Sequence, residues 1–227
     1  MAGSLVPTRI LDWKKEPVVK LIGAVAAPAG ESSDLALLRR AHGEITSRVR
    51  PVYSVTDDRP VSRTLTMGRG SCSQRLALLE AVARGSGIAT RVRGLLVDGR
   101  FWYPRFRRIR FLVPDDVLLA WPEFLADSGW IEASELFGEI DELRALRSSG
   151  FTNSDGETLF EAIACTAVDW DGRTRGSAGT GACNLSANVI ADLGRFDSRD
   201  DLFRMHGQTL TWPARMAAEP ILGRWSA

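Results

Sequence analysis

The chain has 227 residues, 44% hydrophobic and 25% charged, with 29 basic against 28 acidic side chains and a net charge of +1. That balance provides no bulk field for nucleic acid or an anionic membrane, which argues against both as partners. The length suits a single core that buries about 70% of its unfolded surface.

No stretch approaches the roughly 18 apolar residues that a membrane-spanning helix needs. The apolar run at residues 21–28 is short and lacks the basic start and long apolar core of a secretion signal. Cys72, Cys165 and Cys183 are odd in number and widely spaced, which favours reduced thiols in a cytoplasmic protein over a disulfide framework. With no CxxC and only His42 and His206 as histidines, a structural zinc site is not expected and no cofactor is implied.

In chain order, residues 1–30 read as irregular, punctuated by Pro7, Pro17 and Pro28, with an edge strand expected at Val18–Val25. Ser33 is placed to cap a helix whose apolar face is Leu35, Leu38, Ala41, Ile45 and Val49, ended by Pro51. Residues 57–70 read as loop. Leu76, Leu79 and Ala83, widened by Leu78 and Val82, predict an amphipathic helix over 73–84 that stops at Gly85 and Gly87. Strands are expected at 89–97, 100–103, 106–112, 117–124 and 130–133, with a hairpin turn at Asp98-Gly99. Helical spacing returns at Ile140, Leu143 and Leu146, and again over 157–167. Residues 173–181 are rich in Gly, Ser and Thr and read as mobile. Two short helices are expected at 184–193 and 200–208. The whole is an α+β layout in one domain, with a core over about 32–148 and a helical extension over about 150–227.

The segment Gly68-Arg69-Gly70-Ser71-Cys72-Ser73-Gln74 carries the chemistry. Glycines let the backbone turn sharply into a helix start. A cysteine there sits among unpaired N–H groups at the positive end of the helix dipole, which favours thiolate and suits a developing oxyanion. The same spacing also fits a small buried residue at a helix start.

The run from Gly70 to Arg91 resembles the transglutaminase-like, papain-related superfamily, in which a G-x-C opens a helix and a Gly-Ile strand with a following Arg-Val comes next. Gly70, Cys72, Gly87, Ile88, Arg91 and Val92 occupy those places. Downstream, Ala120, Trp121 and Glu123, then Gly129 and Trp130, resemble the family's His-Ala-Trp-x-Glu and Gly-Trp blocks. The resemblance spans Val52 to Ser134 and implies a helix-borne cysteine packed on an antiparallel sheet. It also implies departures: the family histidine falls on Leu119 and the family aspartate on Ser134. No histidine occurs between His42 and His206 to replace it. Standard cross-linking or peptide hydrolysis, which needs imidazole as base and acid, is therefore not expected.

Two functions follow from the resemblance. One is cysteine-dependent acyl transfer on a small or carrier-bound substrate, through an atypical site. The other is an inactive homologue that binds a ligand or partner in the remnant cleft. Cys72 is the candidate nucleophile. Glu123, on one strand face with Trp121 and Leu119, is either the substitute base or a structural carboxylate. His206 is a catalytic candidate or a surface residue, and His42 belongs to the first helix. Gly70, Gln74 and Trp121 are candidate substrate contacts. Arg105, Arg107, Arg108 and Arg110 form either a charged edge strand or an anion site, with Arg107 and Arg110 as its contacts for an acidic carrier or partner protein. Asp115 and Asp116 read as turn carboxylates. Cys165 is expected to be a small buried residue, and Cys183 to be exposed.

Overall fold

The computed structural model describes residues 2–26, 33–54, 56–106, 110, 113–127, 129–147, 150–153, 156–174 and 183–209. The first element corrects the sequence reading. Helix α1 (Glu16–Val25) occupies the expected edge strand and buries Val18, Leu21 and Val25. The valines suit either state in isolation, but the three-and-four spacing of the buried residues and Pro17 in the first turn fit a helix. Helix α2 (Asp34–Arg48) starts where Ser33 predicts, with the Ser33 hydroxyl accepting from the Ala36 N–H at 3.1 Å.

The expected loop at 57–70 contains α3 (Val61–Met67), a helix of seven residues with only Val61 and Thr64 buried, too short to show a period. It ends at Gly68, whose φ of 60° is the left-handed conformation that favours glycine. Two short parallel segments follow, β1 (Arg50–Pro51) beside β2 (Arg69–Gly70). Helix α4 (Cys72–Gly85) then runs through the interior, buried from Gln74 to Arg84. It is not the amphipathic helix that the apolar spacing predicts. Its charged residues are enclosed with partners: Glu80 pairs with Arg199, and Arg84 donates to the Thr90 hydroxyl and to the Val6 and Asp197 carbonyls.

The sheet is antiparallel throughout, in the order β5–β4–β3–β6: β3 (Thr90–Asp98), β4 (Asp116–Ala126), β5 (Gly129–Glu132) and β6 (Val189–Phe196). Strand β6 replaces the helix expected at 184–193, so the C-terminal third supplies a sheet edge as well as helices. Residues 100–103, expected as a strand, fold into a 3-10 turn (Gly99–Trp102), where the Asp98 carboxylate accepts from the Arg100 N–H at 2.8 Å. The expected strand at 106–112 and the expected mobile stretch at 173–181 lie mostly outside the described residues. Helix α5 (Ile140–Leu146) matches its expectation. Helix α6 (Leu159–Ala162) is much shorter than the expected 157–167, and α7 (Arg199–His206) closes the described fold.

The two faces of the sheet have different neighbours. Adjacent strand residues point to opposite faces. On one face Thr90 bonds Arg84 of α4, and Gly94 lies under Leu202 of α7, where an added Cβ would come within 2.7 Å of the leucine methyl. On the other face Arg91 pairs with Glu123, and Arg93 pairs with Glu132, Asp171 and Asp192. One apolar cluster runs from Ile10 to Phe203 and joins α1, α2 and α4 to the sheet and α7.

Candidate active site

Several local features fix the entry to α4. Arg50 N–H donates to the Gly68 carbonyl at 3.0 Å, and Val52 N–H to the Gly70 carbonyl at 3.1 Å, so the chain arrives as a short ladder. Gly70 is needed there because a Cβ would sit 2.8 Å from the Thr64 methyl and 3.2 Å from Gln74 Oε1. Ser71 is the N-cap, and a reciprocal capping box closes the turn. Gln74 N–H donates to Ser71 Oγ at 3.3 Å, and Ser71 N–H donates to Gln74 Oε1 at 3.0 Å. Cys72 is therefore the first helical residue. The N–H groups of this first turn have no helical carbonyl to meet, and they carry the positive end of the helix dipole.

Cys72, Ser71 and Ser73 form one wall of a pocket of about 190 Å³. Aromatic and aliphatic side chains make most of the rest, among them Phe101, Trp102, Phe106, Val117 and Leu159. Tyr53, Asp57, Arg105 and Asn153 are among the polar exceptions, Asp57 being the acidic one. Arg105 Nε donates to Asn153 Oδ1 at 2.5 Å, and its Nη1 makes a long 3.4 Å contact with the Tyr53 hydroxyl. Asn153 is itself fixed, donating to the Phe101 carbonyl at 2.8 Å from a left-handed backbone with φ of 56°.

Behind Thr158, another wall residue, lies a buried polar rail. Arg75 is fully enclosed, stacks 4.4 Å from the Phe160 ring and bonds Thr158 and Glu161. His42 stacks on the same Phe160 at 4.4 Å and donates from Nε2 to the Phe160 carbonyl at 2.7 Å. Burial lowers the His42 pKa, so the ring is held neutral.

The structure places the other candidates as follows. Glu123 does not reach the pocket. It is buried on the sheet face opposite α4, where Arg91 and Arg195 hold its carboxylate, the latter at 2.9 Å. His206 is exposed at the end of α7, edge-on to Phe196 at 5.6 Å, and also lies outside the pocket wall. Gln74 has its amide committed to the chain: Nε2 donates to Ser54 Oγ and the Thr56 carbonyl, and Oε1 accepts from Arg59. Trp121 is wholly buried against Trp170, ring centres 5.8 Å apart. Arg107 lies outside the described residues. Arg110 is exposed, 6.0 Å from the Tyr103 ring.

Leu119 is buried on β4. Ser134 is fully buried and donates to Glu132 at 3.4 Å. Cys165 is exposed rather than buried. Partial burial and the neighbouring Glu157 carboxylate, 2.8 Å from its sulfur, push its thiol up to about 11. Cys183 is buried rather than exposed. Sequence reasoning missed Tyr53 and Asn153 as pocket residues, and of the described arginines of the cluster Arg105 rather than Arg110 lines the pocket. No local pattern joins residues 53, 105 and 153; only the fold does.

A cysteine at the first position of an enclosed helix, with that helix against an antiparallel sheet and a pocket before the thiol, is the arrangement that the sequence resemblance implies. The chain carries the core of the Transglutaminase-like superfamily, whose family model matches residues 23–134. The match begins within α1, well upstream of the resemblance legible at Val52, and ends at Ser134, where that resemblance ends. Members of this superfamily usually carry out cysteine-based acyl transfer. No curated protein and no solved structure matches the chain.

Proposed function

We propose that this protein is a cysteine-dependent acyltransferase that takes its acyl group from an already activated donor, a thioester. The observation that carries the reading is the position of Cys72: first residue of a buried helix, facing an apolar pocket. The Cys72 sulfur attacks the thioester carbonyl, forming a new S–C bond while the donor's C–S bond breaks. The proton lost by Cys72 goes to the departing thiolate, so the exchange is balanced between two thiols. An amine then attacks the acyl-cysteine, the amide forms, and Cys72 regains a proton as its sulfur leaves. The first-turn N–H groups of α4 face the developing oxyanion.

This donor class suits the polar residues available. A thiolate leaves without a strong general acid, unlike the amine of a peptide. That matters because neither His42 nor His206 is among the described pocket residues. The same lack of imidazole favours a second reading, an inactive homologue that binds a ligand in this pocket. Thiol release from a panel of acyl thioesters separates the two. The acyltransferase reading expects turnover that Cys72→Ala abolishes while the circular dichroism spectrum stays unchanged. Turnover that survives Cys72→Ala refutes it, and no release with any thioester favours the binding module.

A further inference from the structure

Arg105 lines a mostly apolar pocket whose acidic wall residue, Asp57, is not among its bonded partners. Its only bonds go to neutral oxygens, the Asn153 amide and the Tyr53 hydroxyl, and among the described residues no carboxylate pairs with it. Its Nη2 is buried and has no hydrogen-bond partner. The fully buried arginines differ in having an acidic or carbonyl partner, Glu161 for Arg75, Glu80 for Arg199 and two carbonyls for Arg84, although Arg75 also leaves Nε and Nη2 unpaired. A guanidinium left this way is costly to the fold unless a ligand completes it, because a buried donor without an acceptor forfeits its solvation. Asn153, in a left-handed backbone and tied to the Phe101 carbonyl, holds the Nε edge of Arg105 and so leaves the Nη edge for the ligand.

Resting on the acyl-transfer reading of this pocket, we infer that the substrate carries an anion that Arg105 binds. The substrate is then an acyl chain, its apolar part along Trp102, Val117 and Leu159, with a carboxylate at its far end or a phosphate on its thiol carrier. An incoming anion displaces the 3.4 Å contact with Tyr53 to pair with Nη1, and the same displacement opens the way to the buried Nη2 for the fork geometry in which guanidinium binds carboxylate and phosphate best.

The test is calorimetric titration of the full chain with octanoate, octanamide and octyl phosphate at one ionic strength. A charge-assisted pair is worth about 1.5–3 kcal/mol, so octanoate or octyl phosphate is expected to bind about tenfold or more tightly than octanamide. Arg105→Gln is expected to erase that difference, and Arg105→Lys to keep part of it. The tighter of the two anions identifies carboxylate or phosphate as the natural group. Equal affinity for octanoate, octyl phosphate and octanamide, or no binding of any of them, overturns the proposal on the unsubstituted protein alone. A preference that persists in Arg105→Gln also overturns it. Anion preference in a protein that, unsubstituted, turns over no thioester, or whose turnover survives Cys72→Ala, sinks the acyl-transfer reading and spares this one.

Discussion

The pair Glu80–Arg199 joins the cysteine helix to α7 and the sheet, and its removal has a calculable cost. Both side chains are fully enclosed. Arg199 donates to Glu80 Oε1, to Ser73 Oγ at 3.2 Å and to the Ala120 carbonyl at 3.0 Å, so one guanidinium spans α4 and β4 one residue from Cys72. Arg199→Met keeps the volume and leaves the Glu80 carboxylate without its main partner. Breaking a buried pair from one side costs about 3–5 kcal/mol. Arg84 still stabilises the charge, which puts the expected loss near the lower end of that range. Glu80→Gln in the same background removes the stranded charge and should recover about 1–2 kcal/mol of it.

The pH dependence has a definite sign. Burial raises the Glu80 pKa above its unfolded value, so the folded state binds more protons, and stability falls as pH rises through that range. Losing Arg199 strengthens this effect. The gap between Arg199→Met and the parent protein should therefore shrink when urea unfolding, followed by tryptophan fluorescence, is moved from pH 7.5 to 5.5. A loss below about 1 kcal/mol, or a gap that widens in acid, refutes the reasoning.

Three further outcomes follow from local chemistry. His42 has a folded pKa below its unfolded value through burial, so its contribution is present above the unfolded pKa of about 6.5 and is lost as pH falls below it. His42→Phe should flatten the stability slope between pH 7 and 5 relative to the parent, and an unchanged slope in urea unfolding contradicts this. Gln74→Ala removes the capping box and the tie to Ser54 and Thr56, with an expected loss of about 2–4 kcal/mol. A thermal midpoint unaltered by that change would return Gln74 to the role of a substrate contact. Cys165, its thiol pushed up to about 11, should resist iodoacetamide at pH 8, and Glu157→Gln should speed its alkylation. Equal rates in both proteins, read by peptide mass spectrometry, argue against the carboxylate as a cause.

Much of the site's scaffold is legible in the sequence, because its signals are local. Ser33 announces a helix start through its side-chain cap, and Gly70, Cys72, Trp121 and Trp130 fall at spacings that the resemblance makes readable. What misleads is composition that only tertiary packing resolves. Helix α1 is rich in valine, and α3 is too short to show a period. Strand β6 carries Asp192 and Arg195, which read as helix surface until Arg93 and Glu123 supply partners from across the sheet. Helix α4 reads as amphipathic because charged residues normally face water, yet here Arg75, Glu80 and Arg84 are enclosed, each with at least one ion-pair or hydrogen-bond partner.

The same cause moved Glu123 out of the candidate site. Strand spacing puts Glu123 on one face with Trp121, but it does not say which face meets Cys72. The ion pairs with Arg91 and Arg195 place that face away from α4. Arg105 is the converse case, one of four clustered arginines whose pocket position depends on Tyr53 and Asn153, each about 50 residues away.

The most direct test of the central claim is to incubate the protein with an octanoyl thioester, quench in acid and map the acyl group by mass spectrometry. The account predicts one octanoyl group on Cys72, none on Cys165 or Cys183, and release of that group when an amine is added. An unmodified Cys72, or acylation spread equally over Cys72 and the exposed Cys165, contradicts it.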